Sequence, residues 1–381
     1  MNIATPKLSE THRNLFDRLC ERPRRPGSTH ASAMQEWIKE CFAERGLTAY
    51  LQKNSFTGWD NKVKPHIRFI SPDSLDCEYY AVIWSPSIDG IAKGKLEKAG
   101  QILTFEQYPW DRYAVKNEKG KILFYLISEK QIYSPVQTLD DDTEKIPYFT
   151  IDAHKDIEKW LAEEKEIIVE ASMENVFYPD TPLVNVIGEK EGPISTLITC
   201  HLDSIYNGVG AHDNASGTIA LLDLAKKDLP QGARLVAFDG EEMNKIGAYK
   251  YAAHLDKTNN LSQVKLQINF DSIAVGEFVY VLTSPQIYDH VKTLLADIPI
   301  EVVTREAFKQ FDTWPFMQRG IPVIQIGSTS KDNIFRYFNS PNDTVGGNGY
   351  ELDSALISQA VEIGHQIAHD FQANPERYPK A

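Results

Sequence analysis

From residue 183 onward the chain repeats one pattern: an apolar run of strand length, a loop, and then a helical segment. That alternation limits its fold more than any other feature. The strand-length runs are 183–187, 196–200, 234–238, 265–270, 279–282 and 322–326, and several are rich in β-branched residues. Helical stretches such as 215–229 and 245–255 lie between them. Apolar strands alternating with helices predict an α/β fold, a mixed, mostly parallel sheet sandwiched by helices. Ligands of such sheets gather beyond the carboxyl ends of the strands.

The polar residues of this region sit at those ends. The run 196–200 passes directly into His201, Leu202 and Asp203; the run 234–238 into Asp239, Gly240, Glu241 and Glu242; and the run 265–270 into Asp271. A fourth contribution comes from the loop 210–217, where Asp213 lies at the mouth of the following helix. Gathering several carboxylates and an imidazole is costly, because like charges repel and burial strips hydration. A divalent cation offsets that cost, and imidazole with carboxylates suits zinc, with manganese, cobalt or iron as alternatives. The adjacent acids Glu241 and Glu242 make chemical sense if one ligates metal while the other accepts a proton from the water that the metal activates. Taken singly, each residue has an ordinary explanation: a loop histidine, a solvated acidic pair, a helix cap. Their joint placement is what points to a site.

The rest of the chain differs in character. Leu15, Phe16 and Leu19, then Met34, Trp37, Ile38 and Phe42, are spaced for two helices, with a loop carrying Pro23, Pro26 and Gly27 between them. Residues 47–56 read as a strand. Short strand-like runs separated by turns follow, at 79–84, 102–105 and 122–127, with one helix near 153–163 and an acidic turn at 140–144. The expected organisation is a first part of the main domain at 1–57, an inserted β-rich domain at 58–180, and the remainder of the main domain at 181–381.

A net charge of −13 disfavours a nucleic-acid partner. No apolar run is long enough for a membrane span, and the first 25 residues lack the apolar stretch of a secretory signal, so the expectation is a cytoplasmic protein with no membrane partner. Cys20, Cys41, Cys77 and Cys200 show no paired spacing and are expected to be reduced thiols.

The segments His201-Leu202-Asp203-Ser204, Asp213-Asn214-Ala215-Ser216-Gly217, Phe238-Asp239-Gly240-Glu241-Glu242, Ile268-Asn269-Phe270-Asp271 and Arg319-Gly320-Ile321-Pro322 resemble metallopeptidase family twenty-eight, the group of aminopeptidase Y and bacterial leucyl aminopeptidase. The resemblance implies a zinc exopeptidase of the phosphorylase/hydrolase-like fold that acts on peptide substrates. By the same resemblance His201 and Asp271 hold one zinc, Glu242 the other, and Asp213 bridges them. Glu241 is the general base, and Asp203 fixes the tautomer of His201. The insert is similar to a protease-associated domain through 120–126 and 146–151.

One position departs from the pattern. Aligned on Pro341 and Asp343-Thr344, the final ligand, a histidine in relatives, is Asn339. An amide oxygen is a weaker zinc donor than imidazole, so the second site should bind loosely, take a harder metal or stay empty. Neither His212, beside Asp213, nor the pair His365 and His369 on the last helix is expected to substitute. Tyr206, Trp314, Phe316, Tyr337 and Phe338 are candidates to line a side-chain pocket, with plain packing as the alternative. The expected activity is aminopeptidase hydrolysis. Its rivals are a weak or inactive peptide-binding relative, which Asn339 favours, and a single-zinc glutaminyl cyclase, which the resemblance disfavours because those enzymes lose a different ligand. Residue preference and oligomeric state stay open.

Overall fold

The computed structural model describes residues 7–104, 108–128, 145–330, 339–346 and 350–380. Phe105, the acidic turn 140–144, Tyr337 and Phe338 lie outside them. The chain divides into two compact units, Met1–Ser55 with Pro182–Ala381, and Phe56–Thr181.

The first unit opens with helices α1 (Glu10–Leu19) and α2 (Thr29–Glu44). Each begins where a serine hydroxyl, Ser9 or Ser28, accepts an otherwise unpaired N–H of the first turn. Strand β1 (Thr48–Ser71) carries the chain into the second unit, which holds β2 (Tyr79–Ala81), β3 (Ala92–Thr104), β4 (Tyr108–Lys116), β5 (Ile122–Ser128), β6 (Tyr148–Ile151) and α3 (His154–Ala162). Here β3, β4 and β5 form an antiparallel meander, β6 joins β5 in parallel, and β2 closes on β6. Val82, Ile102, Trp110, Ile127 and Tyr148 pack together as a core of this unit.

Strand β7 (Ile168–Glu189) returns the chain to the first unit. There follow β8 (Thr196–His201), α4 (Ser216–Leu224), β9 (Ala233–Phe238), α5 (Ile246–Lys257), β10 (Leu266–Phe270), β11 (Phe278–Thr283), α6 (Tyr288–Leu294), β12 (Glu301–Thr304), α7 (Trp314–Met317), β13 (Val323–Thr329) and α8 (Ser354–Ala373). The strand order is β12-β11-β13-β10-β8-β9-β7. Pairs β13/β10, β10/β8, β8/β9 and β11/β12 are parallel, while β11/β13 and β9/β7 are antiparallel, so the sheet is mixed and mostly parallel.

Alternate residues of each strand serve opposite faces. Ile198, Leu235, Ile268 and Ile324 pack with α1, α2, α4 and α8 residues such as Phe16, Ile38, Ile219 and Ile357. Their neighbours Leu197, Val236 and Val323 pack instead with Tyr251 of α5 and Phe316 of α7. Helix α4 stops at Leu224, short of the expected 229. Pro230 disfavours helical geometry in the residue before it and leaves the last expected turn unformed. No helix among the described residues is long and apolar enough to cross a membrane.

Candidate metal centre

The parallel register sets up the site. Phe270 pairs with Cys200, and His201 pairs with Phe238. Asp271, one step beyond Phe270, therefore falls beside His201, and the segment 239–242 leaves the sheet on the other side of His201. Three central strands thus release their polar residues at one edge.

The loop before α4 brings the fourth. Gly210 takes a left-handed backbone (φ 56°), and a Cβ there would lie 2.1 Å from the carbonyl oxygen of Asp213, so only glycine permits the turn. Asn214 staples the loop to the end of β10: its Nδ2 donates to the Phe270 carbonyl at 3.0 Å, while its Oδ1 accepts from Gly217 N at 2.8 Å and Ser272 N at 3.1 Å. Ser216 Oγ donates to the His212 carbonyl at 2.6 Å and accepts from Ile273 N at 3.0 Å. From below, the buried Arg24 guanidinium donates to the carbonyls of Leu19, Leu202, Val209 and Gly210 at 2.6–3.0 Å.

His201 Nε2 stands 3.1 Å from Asp213 Oδ1 and 3.5 Å from Asp271 Oδ1. One ligand atom from each of these three side chains lies within 4.8 Å of the other two. Burial works against a charged imidazole, yet the carboxylates of Asp203, Asp213 and Asp271 push the pKa of His201 well above its ordinary value. Burial, with the charge of Asp271, likewise raises Asp213. The cluster therefore calls for a positive charge at its centre, either a proton on His201 or a cation. An imidazole nitrogen and two carboxylate oxygens facing one point fit a divalent metal.

Glu241 and Glu242 flank this trio. Burial pushes Glu241 up to about 7, although the positive charges of His201 and Lys245 oppose it. Burial, then the charges of Asp213 and Glu241, holds Glu242 well above the usual carboxylate range. Asp203 is the residue that positions both: its Oδ1 accepts Glu241 N at 3.0 Å and its Oδ2 accepts Glu242 N at 3.1 Å. Its Oδ1 lies 3.6 Å from His201 Nδ1, an ion-pair separation longer than a hydrogen bond. The hydrogen bonds of Asp203 thus go to the acidic turn rather than to the imidazole.

Asn339 stands across from Glu242. Turned so that its nitrogen faces the carboxylate, the amide donates to Oε1 and Oε2, each at 2.8 Å. His212 is not one of the three grouped residues; its Nδ1 accepts from Ala274 N at 3.2 Å, and burial drives its pKa down to about 3. His365 and His369 both direct Nε2 to the carbonyl of Asp228. Phe316 is a core residue, fully buried and stacked on Phe238 at 6.2 Å, because α7 packs its inner face on the sheet. Trp314 is half-buried with Lys309 Nζ 5.8 Å from its ring, and Tyr206 is half-buried.

Three residues of the site carry no sequence signal of their own. Arg24 looks like any loop arginine. Asp312 is buried, and burial with the charge of Glu241 raises its carboxyl well above the ordinary range. Asp343 serves in the sequence only to align Asn339, yet its carboxylate accepts His212 N at 2.8 Å, Asp213 N at 2.9 Å and the Tyr350 hydroxyl at 2.5 Å.

Residues 184–357 match Peptidase family M28. The chain is 25% identical over 195 residues to aminopeptidase YwaD of Bacillus subtilis (strain 168), covering 46% of this chain and 43% of that relative. It spans less than half the length of the curated relatives it matches. Among solved structures, a Peptidase M28 precursor from Shewanella amazonensis SB2B superposes with a TM-score of 0.75 at 17% identity, covering 96% of this chain and 93% of that one. A zinc aminopeptidase from Bacillus subtilis superposes with a TM-score of 0.67 at 18% identity, covering 95% and 94%. These two show the same fold.

Proposed function

We propose that this protein, whose residues 184–357 match peptidase family M28, is a zinc-dependent aminopeptidase that removes residues from the N-terminus of peptides. The observation that carries the reading is the grouping of one ligand atom each from His201, Asp213 and Asp271 within 4.8 Å of one another, with the buried carboxyl group of Glu241 close enough to feel the charge of all three. Two relatives named as aminopeptidases support it.

His201, Asp213 and Asp271 would hold the ion. When bound, a divalent cation there supplies Lewis-acid polarisation of the scissile carbonyl and makes water more acidic. Glu241 is the proton carrier, accepting a proton from the attacking water and delivering it to the leaving amine. Burial raises this carboxyl group while a bound cation would draw it down, so the two opposing influences suit it to take up and release a proton. Asp203 fixes its backbone, so the carboxyl is presented from a rigid turn. The surplus of acidic groups around the site favours a substrate with a free, positively charged α-amino group, which selects chain ends over interior bonds.

The test is hydrolysis of aminoacyl-p-nitroanilides and dipeptides by protein supplied with zinc, manganese or cobalt, alongside the same substrates acetylated at the amino group. Cleavage confined to the free-amine series, and lost in Glu241→Gln, is the expected result. Failure to cleave any of them with metal present would leave a peptide-binding role as the better reading.

A further inference from the structure

The donor trio and the Glu242–Asn339 pair differ in a way that bears on how many ions the site holds. Around a tetrahedral zinc with metal–oxygen distances of about 2.0–2.2 Å, ligand atoms stand roughly 3.3–3.6 Å apart. The separations from His201 Nε2 to Asp213 and Asp271, 3.1 and 3.5 Å, approach that spacing. Asn339 approaches both oxygens of Glu242 to 2.8 Å, inside that spacing and in the middle of the hydrogen-bond range. An amide oxygen facing two ionised carboxylate oxygens at this distance would be repelled, whereas the amide nitrogen donates a hydrogen bond to them.

Asn339 is also held where it is. Its backbone is left-handed (φ 51°), a conformation that asparagine tolerates better than most side chains. Four residues on, Asp343 binds the backbone of Asp213 and of its neighbour His212. The amide is thereby anchored to the loop that carries one of the trio. Among the His, Cys, Asp and Glu side chains of the described residues, the group that lies within mutual ligating distance is His201, Asp213 and Asp271.

Building on the reading of the site as a metal centre, we propose that this chain carries a single divalent ion, held by His201, Asp213 and Asp271, and that Asn339 takes the place of a second ion by hydrogen-bonding Glu242. The side chain of Glu242 is then a hydrogen-bond acceptor rather than a ligand. Asn339 works as a positioning residue that keeps a buried acid in place without a metal. Relative to a histidine at this position, the amide exchanges a strong zinc donor for an N–H that satisfies the acid directly.

The test counts metal rather than turnover. Protein saturated with zinc and passed through chelator-treated buffer is analysed by inductively coupled plasma mass spectrometry for zinc per chain, with circular dichroism melts to establish folding. Native protein should retain about one ion, Glu242→Ala should still retain about one, and Asn339→His, which a left-handed backbone also accepts, should rise to about two. Two ions in the native chain, loss of the ion in a folded Glu242→Ala variant, or a folded Asn339→His variant that stays at one would each overturn the proposal. Absence of any bound ion would instead defeat the metal-centre reading itself, and this proposal with it.

Discussion

Asp343 Oδ2 accepts the backbone N–H of Asp213 at 2.9 Å, so a carboxylate 130 residues downstream sets the position of one of the three candidate ligands. The same side chain takes His212 N at 2.8 Å and the Tyr350 hydroxyl at 2.5 Å. In Asp343→Asn one acceptor oxygen becomes a donor that faces an N–H or a hydroxyl. Zinc affinity, read by competition with a chromophoric chelator, should fall about 10- to 100-fold. Thermal unfolding should report a loss of about 1–3 kcal/mol.

Asp203 separates two accounts of one residue. Its hydrogen bonds run to Glu241 N and Glu242 N, while His201 Nδ1 lies 3.6 Å away. Asp203→Asn should therefore lower kcat on aminoacyl substrates by about 10-fold or more through the displaced Glu241 turn, with zinc per chain unchanged. If the ion is lost instead, the main work of Asp203 is to fix the imidazole.

Metal removal should make stability depend on pH in a defined direction. Without a cation, Glu241 is pushed up to about 7, Glu242 and Asp213 are also raised, and His201 is raised by its carboxylate neighbours. A carboxyl group whose folded value exceeds its unfolded one costs nothing while protonated in both states. Its destabilisation grows as pH rises from about 4 through the folded value. A raised imidazole acts in the same sense, its stabilisation being present below its unfolded value and lost as pH rises through the folded one. Chelator-treated protein should thus melt at progressively lower temperature between about pH 5 and pH 8, and the zinc-loaded protein should not show that decline. A chelated form whose melting point is flat or rising over the interval would contradict the electrostatic account of the site.

Arg24 makes a prediction about folding rather than chemistry. Its guanidinium satisfies carbonyls of Leu19, Leu202, Val209 and Gly210, all in segments that support the His201 and Asp213 loops. Arg24→Met takes this donor from all four carbonyls, of which Leu19 keeps His30 Nε2 and Gly210 keeps Ala215 N, and should cost about 3 kcal/mol in urea unfolding. Arg24→Lys, with fewer donors in a different geometry, should recover only part of it.

Much of the fold and most of the site were legible in the chain itself. The runs that became β8, β9 and β10 are apolar because each strand is buried on both faces. The residues that follow those runs, His201, Asp239 and Asp271, are polar because the sheet ends there. Local composition carries that information. Partnership does not show in the same way. Asn269 and Gln325 look like flaws in apolar runs until the register sets Asn269 between Thr199 and Gln325, where its side chain accepts from one at 2.6 Å and donates to the other at 2.8 Å.

What the order of residues determined alone was therefore the kind of fold and the identity of the clustered acids and imidazole, since periodicity and strand-end chemistry are local properties. What only the folded chain decided was how those groups are tied together: Asp203 to the 241–242 turn, Asp343 to Asp213, Arg24 to four carbonyls, and the Asn339 amide to Glu242. Apart from the Arg24–Leu19 contact, each of these joins residues far apart in sequence, and hydrogen bonds depend on distances and angles of a few tenths of an ångström and a few tens of degrees. Only packing fixes quantities that fine.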